Sequence, residues 1–218
     1  MGNQFLSHIF SVDALLHVVR CFEDRNVAHP VGELDPLRDV EIIQTELLLK
    51  DLEILERRSQ REQKLAKGGD KHATALLSHL ERWRSLVSGG TAIRHAALPP
   101  EAHPKAWGLD LLSAKPVLYA ANVGESTPAS GSPVASLRAL AEQEGAEVVV
   151  CCAKLEAELA ELEPEDRVAM MRELGFESSA LPQVVQRSEA LLRLVTFFTT
   201  ASRILQAWTV PQGTKAPQ

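Results

Sequence analysis

Two polar segments follow apolar runs and carry side chains that could bind a ligand. Asn122 and Glu125 come directly after the apolar run at 116–121, and Ala153 follows a second run at 147–152. An asparagine amide offers both a hydrogen-bond donor and an acceptor, whereas a glutamate carboxylate only accepts. An Asn three residues before a Glu is a weak signal by itself, because many strands end in an asparagine at a turn. The pattern leaves both interpretations open.

A histidine lies in a third polar segment, which follows the apolar run at 14–20. His29 stands directly before Pro30, and a proline restricts the residue before it to extended conformations. A loop histidine in this setting is most often simply exposed to solvent. Its chemistry therefore depends on what surrounds the loop.

The three apolar runs predict buried strands, because each is short and is followed by turn-prone residues. Ser132 is the predicted N-cap of a helix between the second and third runs, and Gly145 marks its end. A strand, helix, strand unit of this kind gives parallel strands, and ligands bind beyond their carboxyl ends. The loops that begin at Phe22, Asn122 and Ala153 are therefore expected at one edge of the sheet.

The segment 39–103 predicts a helical hairpin, because its apolar residues follow helical spacing on two arms. The stripe on the second arm consists of Leu76, Leu80, Trp83 and Val87. Gly68, Gly69 and Asp70 mark the turn between the arms. Six cationic residues cluster near this turn: Arg57, Arg58, Arg61, Lys64, Lys67 and Lys71. The cluster is either a solvated helical face or an electropositive arm that meets RNA phosphates.

Composition narrows the class of protein. The chain has 218 residues, a net charge of −6 and 45% hydrophobic residues, and none of its apolar runs is long enough to span a bilayer. We expect no secretory signal. Its three cysteines have no CxxC spacing, which is typical of buried thiols in a reducing compartment. Cys151 and Cys152 end the third strand, where one thiol should pack inward and the other should face the site. We expect a cytoplasmic protein with neither membrane nor DNA as a partner, and no metal site.

Four segments, in this order and at these separations, resemble the YchF family of Obg-like ATPases. They are GNQFLSHI at 2–9, VVRCFED at 18–24, NVGE at 122–125 and AWT at 207–209. The resemblance includes KGGDK at 67–71 and covers essentially the whole chain. It implies an α/β fold: part of the parallel sheet of a P-loop NTPase (G-domain-like) with an inserted α-helical coiled-coil hairpin.

The same resemblance implies ATP as the ligand. In guanine-binding relatives the motif ends in an aspartate, which accepts hydrogen bonds from two donors on the guanine edge, and here Glu125 stands in its place. Adenine donates through its amine and accepts at N7, which suits the amide of Asn122. The resemblance therefore implies a base preference for adenine over guanine.

Further site residues are implied by the resemblance alone. Phe22 and Val123 would flank the base, and Cys152 and Ala153 would complete the pocket. His29 stands where the family carries a histidine that positions or activates the attacking water. It is the one catalytic candidate in the chain.

The phosphate-binding half of such a site is missing from this sequence. No GxxxxGK[ST] run is present, and such a run presents backbone N–H groups and a lysine to the phosphates and a hydroxyl to Mg²⁺. We therefore expect an internal fragment without the preceding switch and DxxG elements or a following TGS domain. Its predicted parts are a first G-domain segment at 1–38, the hairpin at 39–103, the G domain continued at 104–205, and a linker at 206–218.

The resemblance implies a parent protein that hydrolyses ATP in preference to GTP, uses Mg²⁺ and associates with ribosomes or rRNA. This chain is expected to keep the adenine-recognition half and to lack turnover, because phosphoryl transfer depends on the missing contacts. A non-catalytic ribosome- or RNA-binding module and a nonfunctional remnant remain as alternatives. We also expect an exposed apolar face beside the strand at 14–20.

Overall fold

A computed structural model describes residues 9–24, 26–28, 32–125, 131–173, 179–201 and 204–215. The chain divides into two compact units, one formed by residues 1–15 and 37–115 and the other by residues 16–36 and 116–218. The chain thus leaves the second unit after residue 36 and returns to it at residue 116.

The first unit is built on two long helices, α1 (Pro36–Lys67) and α2 (Lys71–Ser88). Gly69 has a φ of +90°, a backbone conformation that favours glycine. The side chain of Asp70 then caps α2 by accepting a 3.0 Å hydrogen bond from the Ala73 N–H. The structure confirms the predicted helical hairpin and its turn.

Trp83 lies at the centre of the core of this unit. It is fully buried, and its indole Nε1 donates a 3.1 Å hydrogen bond to the Ala102 carbonyl. The predicted stripe of Leu76, Leu80 and Val87 is buried on the same helix. Short 3-10 helices follow α2 at Ile93–His95, Pro100–Ala102, Pro104–Trp107 and Leu112–Ala114.

A buried carboxylate joins α1 to the last of these short helices. Asp51 is 0% exposed and accepts hydrogen bonds from the N–H groups of Leu112 at 2.7 Å and Ser113 at 2.8 Å. Burial is the main reason that the pKa of Asp51 is raised above its ordinary value. The carboxyl group of Asp51 therefore anchors α1 to the last short helix from within the core.

The second unit contains a three-stranded sheet in the order β1-β2-β3, formed by β1 (Leu15–Arg20), β2 (Val117–Asn122) and β3 (Glu147–Cys151). Strands β2 and β3 are parallel. Helix α3 (Ser132–Glu144) connects them and ends at Gly145, whose φ is +67°. The α/β fold with an inserted helical hairpin is confirmed, although Ser132 is the first helical residue instead of the cap.

Three further helices follow: α4 (Ala153–Ala160), α5 (Pro164–Glu173) and α6 (Ala180–Leu191). Helix α6 packs on the sheet, where Ala180 joins Leu118 and Val149 in one buried cluster. The apolar side chains of Leu16 and Val18 on β1 are 46% and 56% exposed. The expected exposed apolar surface on this strand is thus present. No helix in the described ranges is both long enough and apolar enough to cross a bilayer.

The linker predicted at 206–218 is wrong for its first residues. Strand β5 (Ile204–Pro211) pairs antiparallel with β4 (Leu194–Ala201), and the predicted boundary at 205/206 falls inside β5. Trp208 stands opposite Phe197, and its Nε1 donates a 2.9 Å hydrogen bond to the Thr199 hydroxyl. Cross-strand pairing of this kind stabilises β5. The sequence alone did not indicate this strand, because the segment ends in Pro and Gly residues.

Candidate functional site

Backbone hydrogen bonds bring the three predicted loops to one edge of the sheet. The Cys21 N–H donates to the Asn122 carbonyl at 2.8 Å, which joins the end of β1 to the end of β2. The Val123 N–H donates to the Cys151 carbonyl at 2.8 Å, which joins β2 to β3 in the same way. The residues that follow each strand are therefore neighbours, as the strand, helix, strand pattern predicted.

The side chain of Asn122 is oriented by the first turn of α4. Its Oδ1 accepts a 3.0 Å hydrogen bond from the Ala153 N–H. That N–H belongs to the helix terminus, where backbone donors have no partner within the helix, and the preceding Cys152 makes no side-chain capping bond. The amide oxygen of Asn122 is thus bonded to the helix, and the NH₂ group remains to donate a hydrogen bond to a ligand.

A cleft of about 370 Å³ opens where these loops meet. Five of the residues predicted to bind a nucleotide line it: Phe22, Asn122, Val123, Glu125 and Cys152. The sixth, Ala153, contributes its backbone N–H through the bond to Asn122. Binding pockets for small molecules measure about 300–1,000 Å³, so this cleft is of sufficient size for a planar base.

Glu125 is held by a cation that sequence reasoning did not single out. The Lys154 ammonium lies 2.7 Å from a carboxylate oxygen of Glu125 and 3.9 Å from one of Glu158. Its hydrogen bond to Glu125 is the main reason that the pKa of Lys154 is raised. The only feature of the sequence that pointed to Lys154 was its position directly after Ala153. The carboxylate of Glu125 is therefore paired with a cation at the edge of the cleft.

The two adjacent cysteines have different surroundings. Cys151 is partly buried against the core cluster of the sheet, and burial is the main reason that its pKa is raised. Cys152 is almost fully buried and lines the cleft. The expectation that one thiol packs inward while the other faces the site agrees with this arrangement.

Phe22 is in contact with a second cation that the sequence did not indicate. The guanidinium carbon of Arg20 lies 4.8 Å from the centroid of the Phe22 ring. Arg20 is the last residue of β1, two positions before Phe22. The fold of the loop brings these two side chains together, so their spacing in the sequence did not predict the contact.

The predicted catalytic residue, His29, lies outside the described residues. An open cleft of about 640 Å³ is lined by described residues that precede or follow position 29 in the sequence, including Val27, Ala28 and Gly32. Within the described ranges, no three His, Cys, Asp or Glu side chains come together as a metal site.

Several known proteins are similar to this chain. No family model matches it. The ribosome-binding ATPase YchF of Bacillus subtilis is 42% identical over 221 residues, and the one of Haemophilus ducreyi is 44% identical over 218 residues. Each alignment covers 100% of this chain and 60% of the relative.

A solved structure agrees with the sequence comparison. The Schizosaccharomyces pombe YchF GTPase superposes with a TM-score of 0.86 and 27% sequence identity, covering 99% of this chain and 59% of that chain. The chain thus spans about three fifths of the length of the relatives that it matches. By its sequence and its fold, the chain is homologous to about three fifths of the YchF proteins.

Proposed function

We propose that this chain binds the adenine base of ATP in the cleft at the carboxyl ends of β1, β2 and β3. The observation that carries this proposal is the 3.0 Å hydrogen bond from the Ala153 N–H to the Asn122 oxygen. It directs the amide so that the NH₂ group is available to donate to an acceptor such as adenine N7. Phe22 and Val123, which line the same cleft, would contact the faces of the base.

The preference for adenine rests on Glu125 as well as on Asn122. Guanine presents two donors on one edge, and they bind best to a carboxylate for which no cation competes. Glu125 instead lies 2.7 Å from the Lys154 ammonium. A carboxylate that is already paired gains less from a guanine edge, so ATP should bind more tightly than GTP.

Turnover by this chain alone is not part of the proposal. Phosphoryl transfer is accelerated mainly by electrostatic stabilisation of the phosphates, which a GxxxxGK[ST] loop and its metal provide. The sequence of this chain has no such run. We therefore confine the function to base recognition, and the role of His29 stays a prediction.

Ribosome association is the second part of the proposal, because the curated relatives are named ribosome-binding ATPases. Five of the six cations near the hairpin turn are exposed: Arg57, Arg61, Lys64, Lys67 and Lys71. The other, Arg58, lies 2.8 Å from the buried carboxylate of Glu62. These five exposed cations would contact rRNA phosphates in the cytoplasm. A chain with this function alone would be a non-catalytic binding module.

Titration calorimetry of the 218-residue chain with ATP and with GTP tests base recognition. We expect ATP to bind more tightly than GTP. The decisive variant is Asn122→Asp, which keeps an oxygen for the Ala153 N–H but replaces the NH₂ donor with an acceptor. It should lose ATP binding while remaining folded, whereas Gln143→Ala, an exposed change on α3, should bind ATP as the wild type does. Equal or tighter binding of GTP by the wild type would reject the proposal.

A further inference from the structure

Arg20 binds both ends of the loop that carries Phe22. Its Nε donates to the Phe22 carbonyl at 3.0 Å, and its two terminal nitrogens donate to the carbonyls of Asp24 at 3.1 Å and Val27 at 3.1 Å. All three guanidinium nitrogens are thus used on the backbone of one loop. A loop bonded at three points has fewer conformations than a loop bonded only at its ends.

The same guanidinium also lies over the aromatic ring of Phe22. Its carbon is 4.8 Å from the ring centroid, within the distance of a cation–π contact. One face of the ring is therefore covered by Arg20, and the opposite face is the one left for a ligand. The position of Phe22 is determined through its backbone and its side chain by one residue.

The loop is further joined to the base-reading strand. The Cys21 N–H, between Arg20 and Phe22, donates to the carbonyl of Asn122 at 2.8 Å. Asp24 closes a local turn by accepting from the Asn26 N–H at 2.8 Å. The ring of Phe22 is thus held at a defined place beside the amide of Asn122.

We propose that Arg20 is a positioning residue for base recognition: it holds Phe22 so that a purine can stack on the ring. The inference rests on the proposed binding of the adenine base and adds a residue that acts through Phe22 without touching the base. A lysine would not replace it, because one ammonium on a flexible stem does not bond three separate carbonyls as a planar fork does.

A double-mutant cycle on the full chain tests this role. ATP affinity is measured for the wild type, Arg20→Ala, Phe22→Ala and the double variant. We expect Arg20→Ala to weaken binding by about five- to twentyfold, because the Phe22 side chain and its loop must then be ordered when the base binds. In the Phe22→Ala background the same change should weaken binding by less than about twofold, since the ring it positions is gone. Equal losses in both backgrounds would overturn the proposal.

Arg20→Lys separates positioning from charge and protects the test if Arg20→Ala does not fold. If Arg20 positions the ring, Arg20→Lys should bind ATP nearly as weakly as Arg20→Ala, and hydrogen exchange at residues 22–28 should speed up. Binding equal to that of the wild type would show that only the positive charge matters, and would overturn the proposal. The control is Arg138→Ala, an exposed arginine on α3.

These outcomes also separate this proposal from the proposed function. If the wild-type chain does not bind ATP, base recognition itself fails and the role of Arg20 fails with it. If the wild type binds ATP, Asn122→Asp does not, and both Arg20 variants bind as the wild type does, base recognition stands and only the role of Arg20 is rejected.

Discussion

The amide oxygen of Asn122 caps a helix that begins thirty-one residues later, at Ala153, through a 3.0 Å hydrogen bond. One side chain therefore stabilises the first turn of α4 and presents a donor to the cleft. Because one amide caps the helix and faces the cleft, most substitutions of Asn122 should change both stability and ligand binding.

Substitution of Asn122 separates the two effects. Asn122→Ala removes the cap and should lower the free energy of unfolding by about 1 kcal/mol, the usual cost of losing such a cap. Asn122→Asp keeps an acceptor at the helix N-terminus, where a negative charge is favourable, and should be at least as stable as the wild type. Urea denaturation of the three proteins measures this difference. A loss of stability in Asn122→Asp equal to that in Asn122→Ala would show that the bond to Ala153 does not act as a cap.

Breaking the ion pair between Lys154 and Glu125 should change base selectivity. In Lys154→Ala the carboxylate of Glu125 loses the ammonium that competes for it, so the ratio of GTP affinity to ATP affinity should rise several-fold. Competition of GTP against a fluorescent ATP analogue measures this ratio. Lys154→Arg keeps a cation beside Glu125 and serves as the control, with an unchanged ratio expected. An unchanged ratio in Lys154→Ala would exclude Glu125 from base selection.

The buried Asp51 should give the chain a distinctive pH dependence. Burial raises its pKa in the folded state above the ordinary value of 3.8, so the folded chain holds this proton more tightly than the unfolded chain. The stability from this group is fully present below pH 3.8 and is lost as the pH rises through the folded-state pKa. Wild type should therefore lose stability relative to Asp51→Asn as the pH rises above the ordinary pKa of an aspartic acid.

Urea denaturation at several pH values measures the contribution of Asp51. Asp51→Asn should also lose about 1 kcal/mol at all pH values, because an amide oxygen replaces only one of the two acceptors that serve Leu112 and Ser113. The informative quantity is thus how steeply the free energy of unfolding changes with pH, compared between wild type and Asp51→Asn. Parallel slopes would show that Asp51 does not exchange a proton in this range.

The exposed cations near the hairpin turn should control ribosome binding and its salt dependence. Arg57→Ala combined with Arg61→Ala removes two charges and should reduce the slope of log affinity against log salt by about 1.5 to 2. Co-sedimentation with ribosomes over a salt series measures the slope. Arg138→Ala combined with Lys215→Ala removes the same charge elsewhere and should leave the slope unchanged. If both double variants behaved alike, the hairpin would not be the contact surface.

Local patterns predicted the parts of the fold that short-range physics determines. The spacing of Leu76, Leu80 and Trp83 indicated one buried helical face, and Gly69 with Asp70 indicated the turn before it. The loops at the sheet edge were also predictable, since parallel strands place their carboxyl ends together. Chain direction and periodicity were sufficient for these features.

Contacts made by long side chains were not predictable in the same way. The pairing of Lys154 with Glu125 spans twenty-nine residues, and it depends on where two loops meet in the folded state. Strand β5 was missed because its pairing with β4, including Trp208 opposite Phe197, stabilises a segment whose end resembles a linker. In both cases the deciding energy comes from a partner distant in sequence.

The anchor at Asp51 has a mechanical consequence for the cationic end of the hairpin. Lys67, the last residue of α1, lies sixteen residues after Asp51, or about 24 Å further along the helix axis. Over that lever arm, a tilt of ten degrees about the anchor displaces the end of the helix by about 4 Å, which exceeds the length of a hydrogen bond. The stiffness of the joint between Asp51 and residues 112–113 therefore sets how precisely the distal charges can match a fixed spacing of phosphates.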